Sequence, residues 1–366
     1  MTSITLPTTQ DKLLSIGPPH TKRDSLLSSM FGDLFSACLT ILTGGLLLAI
    51  APKVINWGLI NAIWPGQDPQ GCQDGGACWA FIAAKIRFIL FGVYPPDQQW
   101  RPLAVIALIL IGVLVTLSPK FWGRKLLLAW TALVIAMLVL MAGGVFGLSY
   151  VSTSNWGGLP VTLLLAVLSL GIGFPFAVFL ALGRRSTNII PRILSVVTIE
   201  VIRGVPLVGL LFVASILLPL LLPAGWTIDK LGRTLAALTI FAAAYLAEVL
   251  RGGLQGVTQG QQEAADALGI PRWKTVWNII LPQAIQKVIP PLTNTAIVMV
   301  KNTSLVMIVG VFDMLSAGRA AVTDPQWPAP YAETYLFVAF VYFIICFGIS
   351  RYSLWLERRV AERAYR

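Results

Sequence analysis

Charged side chains are scarce in the apolar stretches of this sequence, and five of them stand where they could do electrostatic work. Glu200 and Arg203 are three residues apart, as are Glu248 and Arg251, so each pair can lie on one helical face and neutralise itself. Lys301 lies well inside another apolar stretch, about 18 Å along a helix axis from its start. An unpaired ammonium at that depth costs several kcal/mol, so Lys301 should face the protein interior.

Other kinds of chemistry are excluded by what the sequence lacks. His20 is the only histidine and lies in a polar N-terminal segment, which removes His-based metal sites and Ser-His-Asp or Cys-His catalysis. No GxxxxGK[ST] motif occurs, so ATP binding through a P-loop of this chain is not expected. A membrane-embedded enzyme is therefore the least favoured class, and we expect neither catalytic residues nor a metal site.

The elements that must position these charges are membrane spans. The sequence is 56% apolar and only 12% charged, with a mean hydropathy of +0.78, which is typical of an all-α polytopic membrane protein. Its net charge of +11 would also fit a partner of anionic lipid or nucleic acid, but its distribution favours a topological bias and no nucleic acid. We predict about eight spans, at 34–55, 103–118, 126–148, 158–182, 192–220, 233–252, 289–311 and 334–356.

The distribution of basic residues predicts the orientation. With both termini in the cytoplasm, 18 Lys and Arg fall on the inner side and 7 on the outer side, which follows the positive-inside rule. This topology makes 1–33 and 358–366 cytoplasmic tails, 56–101 an external loop and 253–288 an internal loop. The first thirty residues contain no apolar h-region, so we expect no cleaved signal peptide and a retained first span.

The external loop leaves two questions open. Cys72 and Cys78 flank the residues QDGGA, and they either form a disulfide in an oxidising compartment or remain two free thiols. The apolar run FILFGV at 88–93 is too short to span a bilayer, so it either dips into the interface or packs on the bundle.

The internal loop predicts a polar hairpin of two helices. QGQQEAADALG is strongly helix-forming, Gly269 suits a left-handed helix end, and Pro271 suits the first turn of a second helix. Ala264 and Ala265 lack bulk, so another protein surface could approach this backbone closely. In the second helix an apolar face is predicted at Trp273, Val276, Trp277 and Ile280.

The spacing of this hairpin is specific. Glu263-Ala264-Ala265, Gly269, Ile279 and Leu281-Pro282 together resemble the EAA motif of ABC importer permeases, the loop that inserts into a groove on the ATPase subunit. An ordinary helical hairpin is the alternative. The resemblance implies that ATPase coupling involves Glu263, Ala264, Ala265, Asp266, Leu268, Gly269, Ile270, Pro271 and Arg272.

More of the chain supports this resemblance. GLPVTLLLAVLSLGIGFPFAVFLALGR at 158–184, IEVIRGVPLVGLL at 199–211 and LPQAIQKVIPPLTNTAIVMVKNTSL at 281–305 look like the polar amino acid uptake family. Residues 157–357 would form its core of five helices, a type I ABC importer permease. The three accessory helices in 34–150 look most like the larger subunit of the general L-amino acid permease type.

The resemblance also implies an assembly. A sister permease forming a heterodimer, two ATPase subunits and a periplasmic binding protein for L-amino acids would surround this chain in the bacterial inner (cytoplasmic) membrane. ATP and Mg would be bound by the ATPase subunits, so this chain should hold no cofactor.

Within that framework the charged residues have two interpretations each. Glu200, Arg203, Glu248 and Arg251 are either core ion pairs or an inner gate that rearranges when the ATPases close. Lys301 either receives the carboxylate of the substrate or has a fixed partner on this chain or its sister. In the first case, the same pathway would be lined by Asn294, Thr295, Asn302 and Ser304.

An ion-gradient-driven secondary transporter is the competing function. Such proteins usually need membrane-embedded acids as proton or sodium sites. Here only Glu200 and Glu248 qualify, and each has an arginine three residues on, which weakens this alternative.

Overall fold

The computed structural model describes residues 30–67, 71–72, 75–117, 123–223 and 225–364. It divides into two units, one of residues 1–62 with 74–77 and one of residues 63–73 with 78–366. The predicted tail 1–33, with His20, thus lies almost wholly outside the described residues. The described part is helical, as predicted, with two isolated β-bridges, Ile63 with Cys78 and Gly158 with Asp313.

The α-helices follow one another along the chain with short connections. They are α1 Leu34–Ile55, α2 Trp79–Phe91, α3 Trp100–Leu117, α4 Arg124–Ala142, α5 Gly158–Arg184, α6 Ile189–Gly204, α7 Leu207–Phe212, α8 Leu218–Leu221, α9 Lys230–Gln255, α10 Gln259–Ala267, α11 Arg272–Thr275, α12 Leu281–Lys287, α13 Ile289–Asn302, α14 Met314–Val322 and α15 Tyr331–Ala364.

The first unit is built on α1. Asp33 caps its N-terminus, since its carboxylate accepts a hydrogen bond from the Ser36 amide at 3.4 Å. Pro52 lies inside the helix, and a π-helical turn, Asn56–Ile60, extends it. None of the side chains of α1 is buried, so its apolar surface is uncovered within the chain, as suits a lipid-facing span.

Seven helices are long and apolar enough to cross a membrane among the described residues. An eighth span exists only if α6 is joined with the segment Leu207–Leu221, which is bent by 105° from it. The span predicted at 192–220 is therefore not one continuous helix but a pair of helices with a sharp bend between them. Pro206 cannot continue the hydrogen-bond ladder, and it holds Val205 in an extended conformation (φ −92°, ψ 133°), so the helix breaks there.

The apolar run at 88–93 consists of the last turn of α2 and the two residues after it, and α2 packs on the bundle. Its buried side chains Phe81, Ile82 and Ile89 join a cluster from three other elements, α5, α14 and α15. Lys85 forms an ion pair with Asp324 beyond α14, and this hydrogen bond holds the pKa of the Asp324 carboxyl below its usual value. The packing alternative is thus the one that the structure adopts.

The span predicted at 126–148 ends as α4 at Ala142, because two side chains cap it there. Arg101, only 1% exposed, donates from Nε to the Leu140 carbonyl at 2.6 Å and from Nη1 to the Ser149 carbonyl at 3.0 Å. The Tyr94 hydroxyl donates to the Met141 carbonyl at 3.0 Å. A cation at a helix C-terminus is favourable, so Arg101 is a packed structural residue.

The centre of the second unit is the contact between α5 and α9. The buried face of α9 contains five alanines and a glycine, so the two backbones lie close together, as is typical of helix packing in membranes. At the other end of the chain, α15 continues to Ala364, so the predicted tail 358–366 begins as helix.

Candidate functional site

The turn of the polar hairpin has the geometry that its sequence predicts. After α10, the Gly269 amide donates to the Asp266 carbonyl at 3.0 Å, and the Ile270 amide donates to the Ala265 carbonyl at 3.0 Å. Gly269 has φ +66°, a left-handed conformation that only glycine adopts readily. These bonds form a Schellman motif, which ends α10 and turns the chain sharply.

The second arm of the hairpin continues past Pro282 to Lys287. Pro271 precedes α11 as its N-cap, and a π-helical turn at Val276–Ile280 joins α11 to α12. Pro282 neither ends this arm nor breaks it. Proline has no amide to offer the carbonyl four residues earlier, and a shift to π-helical bonding absorbs that loss within one continuous arm.

The hairpin is tied to the membrane helix that precedes it. The Gln283 side chain donates to the Gln261 side chain at 3.1 Å, which links the two arms. Lys287 hydrogen-bonds the Gly256 carbonyl just after α9. A Cβ added at Gly253 would lie 2.6 Å from the Ala284 carbonyl, so the close contact of α9 with α12 requires glycine. The hairpin should therefore move with α9.

The tip of the hairpin presents apolar side chains to solvent. Leu268 is 77% exposed and Trp273 is 63% exposed, with the exposed cations Arg272 and Lys274 beside them. Glu263, Ala264 and Asp266 are exposed on α10. Ala265 is only 2% exposed and packs inside the hairpin, which corrects the expectation that both alanines face outward.

The charged residues near the hairpin form one cluster, here called the charge cluster, of Arg184, Glu200, Arg203, Glu248 and Arg251. Glu248 is at its centre. Its Oε2 lies 3.3 Å from Arg184 Nη1 and 3.6 Å from Arg203 Nη1, and its Oε1 accepts from Arg251 Nε at 2.9 Å. Glu200 Oε1 lies 2.9 Å from Arg184 Nη1. The cluster thus joins α5, α6 and α9.

Sequence reasoning was right for one pair and wrong for the other. Glu248 pairs with Arg251 in its own helix, as predicted. Glu200 pairs with Arg184 of α5, and Arg203 pairs with Glu248 of α9, so the α6 residues do not neutralise each other. Arg184 was missed. Its sequence signal is its position in the last turn of an apolar span, where a cation can reach back toward buried acids.

The predicted pathway residues lie on and just after α13. Asn294, Val298 and Lys301 are exposed at helical spacing, so one face of α13 is uncovered within the chain. The Thr295 hydroxyl donates to the Pro291 carbonyl at 2.9 Å, and the Ser304 hydroxyl donates to the Lys301 carbonyl at 2.8 Å.

Lys301 and Asn302 behave differently from the charge cluster. Among the residues that the structure describes, no carboxylate lies within ion-pairing distance of Lys301. Asn302 is half-buried beside it. A fixed partner on this chain, one of the alternatives for Lys301, is therefore not found in the described ranges.

The two loop cysteines, whose state the sequence left open, are joined. Cys72 and Cys78 form a disulfide with a Cα–Cα distance of 5.3 Å. The Cys78 amide donates to the buried Glu333 carboxylate at 2.8 Å, so the start of α2 is held against the start of α15. This pairing fits an oxidising compartment for this loop.

Known proteins share both the core and the accessory region. Residues 173–362 match the family described as binding-protein-dependent transport system inner membrane component. The inner membrane amino-acid ABC transporter permease protein YhdY of Escherichia coli K12 is 44% identical over 339 residues, covering 90% of this chain and 91% of that protein.

A second relative and a solved structure agree. The glutamate/glutamine/aspartate/asparagine transport system permease protein BztC of Rhodobacter capsulatus is 33% identical over 413 residues, covering 94% of each chain. The crystal structure of an amino acid ABC transporter with histidines is 33% identical, with a TM-score of 0.50, over 55% of this chain and 92% of that one. The chain therefore belongs to the binding-protein-dependent transport system inner membrane component family and is a multi-pass amino-acid ABC transporter permease, a transport subunit and not an enzyme.

Proposed function

We propose that this chain is the permease subunit of an ATP-driven, binding-protein-dependent importer of L-amino acids in the bacterial cytoplasmic membrane. The observation that carries the proposal is the polar hairpin: a rigid Schellman turn with an exposed apolar tip, fastened to the end of a membrane helix. Leu268 and Trp273 are exposed together at the tip, and they suit contact with a partner surface because burial of apolar side chains of this size is favourable.

The partner at this tip is the ATPase subunit, which binds ATP and Mg. Leu268 and Trp273 would fill its groove, while Glu263, Asp266 and Arg272 would contact its polar rim. Because Lys287 and Gly253 fasten the hairpin to α9, a displacement of the tip would be transmitted to α9. The charge cluster would then pass the movement on to α5 and α6.

The uncovered face of α13 is proposed to meet the sister permease and to line the pathway between the two chains. Asn294, Thr295, Lys301, Asn302 and Ser304 would contribute polar groups there. An unpaired Lys301 suits a region that contains water and an amino acid carboxylate, since an ammonium facing lipid at this depth would be costly.

The substrates are proposed to be L-amino acids delivered by a periplasmic binding protein. The relative from Rhodobacter capsulatus is named for glutamate, glutamine, aspartate and asparagine, which share the α-carboxylate and a polar side chain. The charge cluster argues against the gradient-driven alternative, because both of the acids that could serve as proton sites are paired with arginines.

The test is reconstitution of this chain with its sister permease, ATPase and binding protein in proteoliposomes. ATP-dependent uptake of labelled amino acids is expected for the wild type. Gly269→Leu should abolish it while the membrane core still assembles, because a side chain at φ +66° costs about 1–2 kcal/mol and distorts the turn.

Gly260→Ala is the matched control. Gly260 lies in α10, and a Cβ there meets no atom within 4 Å. Alanine should therefore be neutral or slightly favourable at this position. Uptake by the wild type without ATP, or without the ATPase subunit, would overturn the proposed function.

A further inference from the structure

A polar spot lies between α9 and the bent segment that contains α7 and α8. Pro219 in that segment has no amide, so the Ser215 carbonyl, four residues earlier, lacks its usual helical donor. Residues Val213–Leu217 form a π-helical turn, and Arg233 Nη1 donates to the Ser215 carbonyl at 2.6 Å. The guanidinium of Arg233 therefore lies between α9 and the bent segment.

Two atoms at this spot have no partner. The Arg233 Nε and the Ser215 hydroxyl are both buried and form no hydrogen bond with any described residue. A buried polar atom without a hydrogen-bond partner is unfavourable, so we expect both atoms to bind a further polar group. Nε lies on the edge of the guanidinium that is not occupied by the Ser215 carbonyl, and such an edge binds a carboxylate with two parallel bonds.

The positive charge at this spot favours the binding of an anion. Lys230 lies one helical turn before Arg233 and donates to the Gly310 carbonyl at 3.4 Å. Within the described ranges, neither cation has a carboxylate at ion-pairing distance. Asp229 is adjacent, but its carboxylate caps α9 by accepting from the Leu231 amide at 3.0 Å. Two cations therefore lie at the same end of the bundle, and no described carboxylate is at ion-pairing distance from either of them.

The position of the spot is opposite to the hairpin. Arg233 lies in the first turn of α9, and the hairpin follows the end of α9 at Gln255, about 33 Å away at 1.5 Å per residue. Gly310, the partner of Lys230, ends the 3₁₀-helix that follows α13, the helix with Lys301. The spot thus lies at the far mouth of the helices that carry the proposed pathway.

We propose that Arg233 and Ser215 form the site in the membrane that first receives the α-carboxylate of the amino acid. The guanidinium edge with Nε binds the carboxylate oxygens, and the Ser215 hydroxyl donates a further bond. Lys230 adds positive potential at the entrance. This inference rests on the proposed import function and assigns its first substrate contact to the outer mouth, ahead of Lys301.

The experiment uses the reconstituted complex of both permeases with the ATPase. Binding of a labelled amino acid is measured without the binding protein, and ATP-driven uptake is measured with it. Arg233→Gln keeps a donor for the Ser215 carbonyl and removes the charge, so a purely structural arginine would tolerate it. We expect binding and uptake to fall about tenfold or more in Arg233→Gln and to be partly kept in Arg233→Lys.

The matched control is Arg319→Gln, since Arg319 is an exposed arginine of α14 at the same side of the chain. It should bind and transport like the wild type. The amide of the same amino acid, which lacks the carboxylate, should not compete for binding to the wild type. Competition by the amide as strong as that by the amino acid would contradict the proposal.

Two results would overturn the inference and leave the import function standing. The first is ATP-driven uptake and amino acid binding that are unchanged in Arg233→Gln. The second is loss of a bound phospholipid from that variant in native mass spectrometry with amino acid binding intact, which would assign the spot to a lipid phosphate. If Arg233→Gln fails to assemble, the test uses Ser215→Ala, which removes only the hydroxyl. Weaker amino acid binding in Ser215→Ala would support the site, and unchanged binding would refute it.

Discussion

Glu248 and Glu200, the two acids of the charge cluster, should contribute unequally to stability. The Glu248 side chain is 22% exposed and contacts three arginines, whereas Glu200 is 54% exposed and contacts one. A carboxylate that is shielded from water and accepts several charged hydrogen bonds contributes more than an exposed ion pair does. The cluster as a whole holds three arginines, so the loss of Glu248 would leave them facing one another.

We therefore predict that Glu248→Gln lowers the free energy of unfolding by about 1–3 kcal/mol. Glu200→Gln, the matched control, should cost less than about 1 kcal/mol, since water screens its single pair. Thermal unfolding of the purified variants in detergent measures both. Equal losses would show that Glu248 is not the centre of the cluster.

The same variants separate the two interpretations of these residues. If the cluster only stabilises the fold, Glu248→Gln should transport less because less complex is folded. Its ratio of ATP hydrolysed to amino acid imported should then equal that of the wild type. If the cluster is a gate, that ratio should rise, because hydrolysis continues while the helices no longer move together.

At the scale of the elements, the contact of α9 with α12 determines whether the hairpin can transmit movement. Gly253 and Gly252 are neighbours with different surroundings. A Cβ at Gly253 would meet the Ala284 carbonyl at 2.6 Å and the Val288 side chain at 2.8 Å, whereas a Cβ at Gly252 meets no atom within 4 Å. The pair therefore isolates the effect of separating the two helices.

Gly253→Ala should push α12 away from α9 and cost about 1–3 kcal/mol, as overpacking of a tight contact does. Its complex should hydrolyse ATP with reduced uptake. Gly252→Ala should retain both activities, since it only adds a methyl group to an open helix face. Both activities are measured in proteoliposomes. An equal ratio of ATP hydrolysed to amino acid imported in the two variants would contradict the transmission of movement through the contact of α9 with α12.

At the scale of the whole molecule, we infer the orientation across the membrane from the basic residues, and the disulfide is consistent with it. Ala267 lies at the end of α10 in the hairpin, and Gln326 lies exposed in the loop between α14 and α15. The proposed topology puts the first inside the cell and the second outside. The disulfide of Cys72 with Cys78 leaves Cys38 and Cys346 as the free thiols of the described residues.

In a variant without Cys38 and Cys346, we predict that Gln326→Cys reacts with a membrane-impermeant maleimide on intact cells. Ala267→Cys should react only after the membrane is permeabilised, and the wild-type loop cysteines only after reduction. Labelling of Ala267→Cys in intact cells would reverse the topology and remove the hairpin from the ATPase side.

The sequence by itself determined those features that depend on neighbours along the chain. Apolar runs specify spans because a helix must be long enough to cross the bilayer. Gly269 followed by Pro271 specifies the hairpin turn because few residues other than glycine adopt the left-handed backbone angles of Gly269. The pairing of Glu248 with Arg251 is also local, since three residues bring both side chains onto one helical face.

Only the tertiary structure decided which distant groups meet. Arg184 pairs with Glu200, Ala265 turns into the hairpin, and Arg233 lies beside Ser215, because the rotation and approach of whole helices place them there. Helix packing depends on side chains far apart in the sequence, and no local pattern encodes the angle of 105° between α6 and the segment after it. That is why the spans and the hairpin could be predicted, whereas the charge cluster and the polar spot at Arg233 could not.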